Sequence, residues 1–186
     1  RPKIDLDIWQ TDWGYWPMFE PHHYLKLPRM IAARCYVGAV DGEPVAHLAV
    51  GTINRGKVAE ARACRLVVMP EWQGAGVGMR FLNAVAELQM TGGPGARMPG
   101  RKVTTLFHTT HPGLCAALRR DRKWRQVSAH ISGTGSKAAS AKTIRRSAKD
   151  PATKSYAPVG GVGGAGYGGH FRAVQGFRYV GERGLA

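Results

Sequence analysis

From Arg65 to Leu88 the chain reads RLVVMPEWQGAGVGMRFLNAVAEL, a β-branched run, a corner with glycines at 74, 76 and 78, and then apolar residues at helical spacing. A strand that stops at Pro70 and reopens as a helix near Gly76 leaves the first N–H groups of that helix without intrahelical acceptors. Those donors and the positive end of the helix dipole suit an anion, and glycine removes the Cβ atoms that would hold a phosphate off the backbone. Glycine spacing of this kind also occurs in plain turns. No Lys-Ser/Thr pair follows, so this is not a Walker phosphate loop, and the preceding strands read as antiparallel, which argues against a dinucleotide fingerprint.

Two groups of histidines could move protons or orient a polar group. His108 and His111, in FHTTHPG, close a strand and titrate near neutrality when unperturbed. Histidines at a strand end serve equally well as helix caps. In EPHHYLKLP, His22, His23 and Tyr24 stand in a row. Adjacent histidines point in different directions and chelate poorly without a third ligand, such as His47 or His108, so a metal is not favoured. Cys35, Cys64 and Cys115 are far apart, with no Cys-x-x-Cys pair, which suggests neither a disulfide framework nor a zinc site.

The elements that must position these groups are legible as alternation and breakers. The aromatic-rich opening, with Trp9, Trp13 and Trp16, reads as a short helix and a loop ending at Pro28. AARCYVGAV and PVAHLAVG read as strands joined by a hairpin at Asp41-Gly42, and AEARACRLVVMP as a third, longer strand. These three predict an antiparallel meander. A helix then runs to about Met90, where TGGPGARMPG breaks it. KVTTLFHTT predicts a strand, PGLCAALRR a helix with proline in its first turn, and WRQVSAHIS another strand. HFRAVQGFRYVG returns to strand character. The order points to an α/β or α+β layer in one domain spanning residues 1–186.

Between about 133 and 169 the composition turns small, basic and glycine-rich, and is read as a basic insertion too poor in apolar residues to hold a fixed shape. Across the chain 27 Lys and Arg oppose 12 Asp and Glu, a formal charge of +15 that predicts attraction to a polyanion or an anionic cofactor. No apolar run of membrane-spanning length is present, and a soluble, cytoplasmic protein is expected. The chain opens without Met, which leaves a preceding targeting segment open.

Gln73-Gly74-Ala75-Gly76-Val77-Gly78, preceded by LVVMP, resembles the acyl-CoA-binding motif of the GNAT acetyltransferase superfamily, Gln/Arg-x-x-Gly-x-Gly/Ala. The order of elements over roughly residues 33–132, with a last strand near 170–181, also looks like that fold: a mixed central sheet with an antiparallel meander and flanking helices. The resemblance implies an acyltransferase that uses acetyl-CoA or another acyl-CoA. Val67 and Val68 would lie along the acyl arm, and Gln73, Gly74, Gly76 and Gly78 would line the phosphates. Arg80 would either add charge to a phosphate or stand as an exposed helix cation.

Acyl transfer to an amine needs a base for the amine's proton and an acid for the departing thiolate. By the resemblance, Glu60 is a base candidate, the alternative being an outward-facing strand residue. His108, His111, His23 and Tyr24 border the same region. Cys115 and Ser128 are the nearby proton donors, with Tyr24, Tyr156, Tyr167 or Tyr179 as substitutes, because PGLCAALRR lacks the tyrosine many relatives keep there. The HHYL element and basic charge resemble phage-type GNAT proteins of the Mom family, which modify DNA bases in the host cytoplasm. That likeness implies DNA as partner, gripped through Arg122, Lys123, Arg125, Lys142, Arg145 and Arg146, with Trp13, Trp16 or Tyr24 stacking on an extruded base. The alternative for the tryptophans is a local core. The competing functional readings are an N-acetyltransferase for a protein or small-molecule amine, and a DNA-binding module without catalysis.

Overall fold

The computed structural model of the chain describes residues 4–24, 29–30, 32–56, 58–132 and 172–182. Its strands are β1 (Asp7–Thr11), β2 (Arg34–Val40), β3 (Glu43–Arg55), β4 (Val58–Val68), β5 (Thr105–Thr109), β6 (Trp124–Ser132) and β7 (Arg172–Tyr179). The helices are α1 (Trp16–Phe19), α2 (Val77–Thr91) and α3 (Pro112–Arg120). The strands form one sheet in the order β1-β2-β3-β4-β5-β7-β6. Asp41 and Gly42, at φ of 51° and 82°, make the turn between β2 and β3. Two successive positive φ angles are what a two-residue type I′ hairpin requires.

The pairings are antiparallel except between β4 and β5, which run parallel with Ala61–Ala63 set against Thr105–Phe107. Past that short ladder the two strands diverge around a cleft. The divergence has a local cause in β4. Between the His47–Val67 and Ala49–Cys64 pairs β4 holds one residue more than β3, and Arg65 in that interval has φ of 57°. Such a bulge bends its strand and takes a residue out of the ladder, and it falls where β4 leaves β5.

Alternation divides β4 between two environments. Ala61 and Ala63 are buried with Phe81, Leu82, Val85 and Ala86 of α2 and with Cys115 and Leu118 of α3, so both helices cover one face of the sheet. Glu60, Arg62 and Cys64 belong to the opposite face. There, next to the bulge, Trp16 and Phe19 pack on Val67. Buried Gln89 ties α2 to the loop that follows it, donating to Tyr36 Oη at 3.1 Å and accepting from Arg97 N at 2.7 Å.

Two expectations need correction or fall outside the described chain. The aromatic opening begins with an edge strand, β1 paired to β2, and its helix is the single turn α1 between 3-10 turns at Trp13–Tyr15 and Glu20–His22. The signal was present: Ile4, Leu6 and Ile8 alternate with Asp5 and Asp7, and the three apolar residues pack on the core. The basic insertion at about 133–169, with Lys142, Arg145, Arg146, Tyr156 and Tyr167, lies outside the described residues.

Candidate active site

The cleft between β4 and β5 has a volume of about 1100 Å³. One side is the glycine corner. A 3-10 turn at Pro70–Trp72 carries the chain off β4, and Gln73 Nε2 donates to Val68 O at 2.9 Å, fastening the corner to the strand end. Gly74 and Gly76 have φ of 82° and 85°, left-handed values that disfavour any residue with a Cβ. Gly76 is the N-cap of α2 and supplies no side chain to it. The first turn closes with Arg80 N donating to Gly76 O at 3.2 Å. The amides of Val77, Gly78 and Met79 therefore precede the first intrahelical bond, at the positive end of the dipole. A Cβ at Gly74 or Gly76 would meet nothing within 4 Å, so the corner is an open cradle lined with backbone donors. It fits a polyphosphate by the chemistry of its donors.

The opposing wall comes from α3 and the end of β5. Gly113, Leu114 and Ala117 present small or apolar groups to the cleft. His111 lines the cleft and also caps α3, its Nδ1 accepting from Leu114 N at 3.1 Å. His108 stands one residue before the end of β5, opposite Gly176 of β7, which in turn pairs with Ser128 of β6. A Cβ at Gly176 would overlap Ser128 Oγ and stand 2.9 Å from His108 Nε2. The bare glycine is what lets the imidazole and the hydroxyl converge at the cleft's edge.

The chain's similarities agree with this geometry. A family model described as the acetyltransferase (GNAT) family matches residues 6–92, just under half of the 186 residues. The ribosomal-protein-S18-alanine N-acetyltransferase of Escherichia coli aligns with a TM-score of 0.55 at 12% identity, over 94% of this chain and 93% of that one. The fold is that of the GNAT acetyltransferases. An IAA acetyltransferase from Bacillus cereus gives a TM-score of 0.54 at 14% identity, over 94% of this chain and 99% of that one. A GNAT family acetyltransferase from Elizabethkingia anophelis, solved with acetyl-CoA bound, gives 0.54 at 9% identity, over 96% and 99%. No curated protein matches the sequence.

Within this GNAT fold the expected site residues separate into those the cleft gathers and those it does not. Val67, Val68, Gln73, Gly74, Gly76 and Gly78 all line it, as do His22, His23, Tyr24, His108 and His111. Tyr24 is 63% exposed and His22 and His111 are exposed as well, while His23 is buried edge-on against Trp16. Glu60 is not among the lining residues. Its Oε1 accepts from Arg178 Nε at 3.0 Å and Thr104 Oγ1 at 2.9 Å, and only 4% of the residue is exposed. The carboxylate is held off the cleft in an ion pair that ties β4 to β7, its own side chain buried and that of Arg178 partly open. Arg80 donates to Ile4 O at 2.8 Å, so its charge is turned to the N-terminal segment and away from the phosphate cradle.

Several proton-donor and stacking candidates are likewise committed elsewhere. Cys115 is buried under α3, its thiol pushed upward by burial and directed at Thr109 O. Tyr179 is buried and donates to Glu87 at 2.9 Å, and its phenol is held well above the ordinary range by burial first and then by that carboxylate. Trp16 is core, and Trp13 packs on Trp16 and His47, so of the three proposed stacking rings Tyr24 alone is open to the cleft. His47, weighed as a third metal ligand, is fully buried among Trp13, Trp16 and Phe19, with ring centroids 5.2–5.9 Å away. Burial lowers its pKa to about 4, with the neighbouring Arg65 backbone opposing the shift. Among the described residues no group of three or more His, Cys, Asp or Glu is placed to hold a metal.

The sequence reading passed over Arg62, Gly176 and His130. Arg62 and His130 line the cleft on the face away from α2 and α3. The alternation ARACR carried the signal for Arg62, which must face away from Ala61 and Ala63. A glycine inside a strand pattern was the mark of close approach at 176. Of the basic candidates at the start of β6, Lys123 pairs with Glu182 at 3.1 Å, while Arg122 and Arg125 are exposed. They sit at the opposite end of β6 from His130, Arg122 two residues beyond the cleft-lining Arg120.

Proposed function

We propose that this chain is an acyl-CoA-dependent N-acyltransferase. The observation that carries the reading is the open amide cradle at Gly74–Met79, facing the gap where β4 leaves β5, with His108 across that gap. Bound acyl-CoA supplies a thioester carbonyl for the amine to attack and a thiolate that departs. The cradle amides and the dipole of α2 hold the phosphates. His108, set over Gly176 beside Ser128, takes the proton that the acceptor amine must lose. Tyr24 is the described, cleft-lining phenol from which the thiolate could draw its proton. The test is calorimetric titration of the purified chain with acetyl-CoA, followed by assay for free CoA in the presence of amines. Absence of acetyl-CoA binding would refute the reading.

A second reading makes a DNA base amine the acceptor, as the likeness to Mom-type proteins implies. It is favoured by the +15 charge and by a cleft lining that contains neither Asp nor Glu among the described residues. Nucleoside analysis of plasmid DNA from cells expressing the chain, against an empty-vector control, decides it. A new nucleoside that disappears with His108→Gln supports DNA as substrate, and unmodified DNA removes it.

A further inference from the structure

The two sides of the cleft differ in what they can recognise. In the acyl-transfer reading the glycine corner and the α3 wall opposite it enclose the cofactor. The remaining wall is the sheet face that carries Arg62 and His108, with His130 and Ile53 beside them. Arg62 pairs in register with Leu106, two residues before His108. Strand spacing therefore places Arg62 and His108 about 8 Å apart at Cα, on one face. The guanidinium reaches toward Cys64, two residues up β4 and also on the cleft wall.

No acid of the cleft balances this arginine: among the described residues the lining holds three arginines and five histidines but neither Asp nor Glu. The one carboxylate on the adjoining stretch of the same face, Glu60, is withdrawn into its pair with Arg178. A site for a cationic amine would be expected to offer carboxylates, whereas this wall offers a planar fork suited to a carboxylate or phosphate. Of the three cleft arginines, Arg62 is the one set in register on the His108 face, while Arg65 sits in the bulge of β4 and Arg120 at the end of α3. A duplex would need a track of phosphate contacts, while one fork suits one acid group.

Resting on the acyl-transfer reading above, we propose that the acceptor is a small amine bearing its own acid group, which Arg62 holds while the amine nitrogen is presented to His108. The test uses the full chain with saturating acetyl-CoA, release of free CoA as readout, and matched amines. β-Alanine is compared with β-alaninamide, O-phosphoethanolamine with ethanolamine, and a diamine serves as the cationic control. Either acid should exceed its neutral partner at least tenfold in kcat/KM, and the better of the two acids identifies carboxylate or phosphate as the recognised group. Arg62→Gln should erase that preference through KM, and Arg62→Glu should reverse it toward the diamine, both with acetyl-CoA affinity retained by calorimetry.

Equal rates for the acids and their neutral partners, or a preference untouched by Arg62→Gln, would overturn the proposal while leaving acyl transfer standing. Turnover confined to an oligonucleotide, or none with any acid amine in a chain that binds acetyl-CoA, would overturn it too. Failure to bind acetyl-CoA is the separate result that removes the acyl-transfer reading itself.

Discussion

The two sides of the cleft are built by opposite strategies. The side read as the phosphate site is one continuous stretch, Val67 to Met79, in which three glycines and the backbone amides beside them do the work. The acceptor side is assembled from β4, β5, β6, β7 and the segment at His22–Tyr24, and every group on it is a side chain held by a register far away in sequence. Backbone sites tolerate change in their neighbours but not a Cβ at a left-handed glycine. Side-chain sites depend on the residues beneath them. Binding of cofactor and turnover of acceptor should therefore be separable by mutation.

The sharpest break is His108→Gln. If His108 removes the amine's proton, kcat should fall by about 100-fold to 10,000-fold with acetyl-CoA affinity unchanged, measured by steady-state rates and calorimetry on the same preparation. A loss under threefold would transfer the base to another group. Gly76→Val attacks the other side. It forces a β-branched residue to φ of 85°, a strain of about 1–2 kcal/mol, and fills the cradle. Acetyl-CoA affinity should drop by about 100-fold, near 2.7 kcal/mol by the usual conversion of tenfold steps. Retained affinity would show that the phosphates lie elsewhere.

An effect of similar size, read on stability and not on binding or turnover, tests the packing behind the acceptor wall. His47 has a folded pKa of about 4 against an ordinary 6.5. Because the native state disfavours the charged ring, its contribution is fully present above pH 6.5 and is lost as pH falls from 6.5 toward 4. The loss should reach about 3 kcal/mol at pH 4, read as the difference in denaturant stability between the unaltered chain and His47→Leu. Parallel curves for the two proteins across that window would refute the neutral, caged histidine.

What could be read in the sequence follows the same division. The Asp41-Gly42 turn, the alternation of β4 and the glycine corner are local, so each was legible from a few adjacent residues. The partner of Glu60 was not, because Arg178 lies 118 residues away and reaches it only once β7 inserts between β5 and β6. Nor was the cage around His47, which needs the aromatic opening to fold across the bulged strand. The bulge itself hides in an unremarkable run, since nothing in ACRLV announces that Arg65 turns left-handed. Residues 133–171 contribute composition alone.

The three-residue parallel ladder between β4 and β5 has a kinetic consequence. Strands β1 to β4 are joined by pairings between sequence neighbours, whereas β5 reaches β4 only after a crossover through α2 and the loop that follows. Contacts that close long stretches of chain form late. The meander should therefore gain protection from hydrogen exchange before Thr105–Phe107 does, and the gap between β4 and β5 comes into being only after the first four strands have paired.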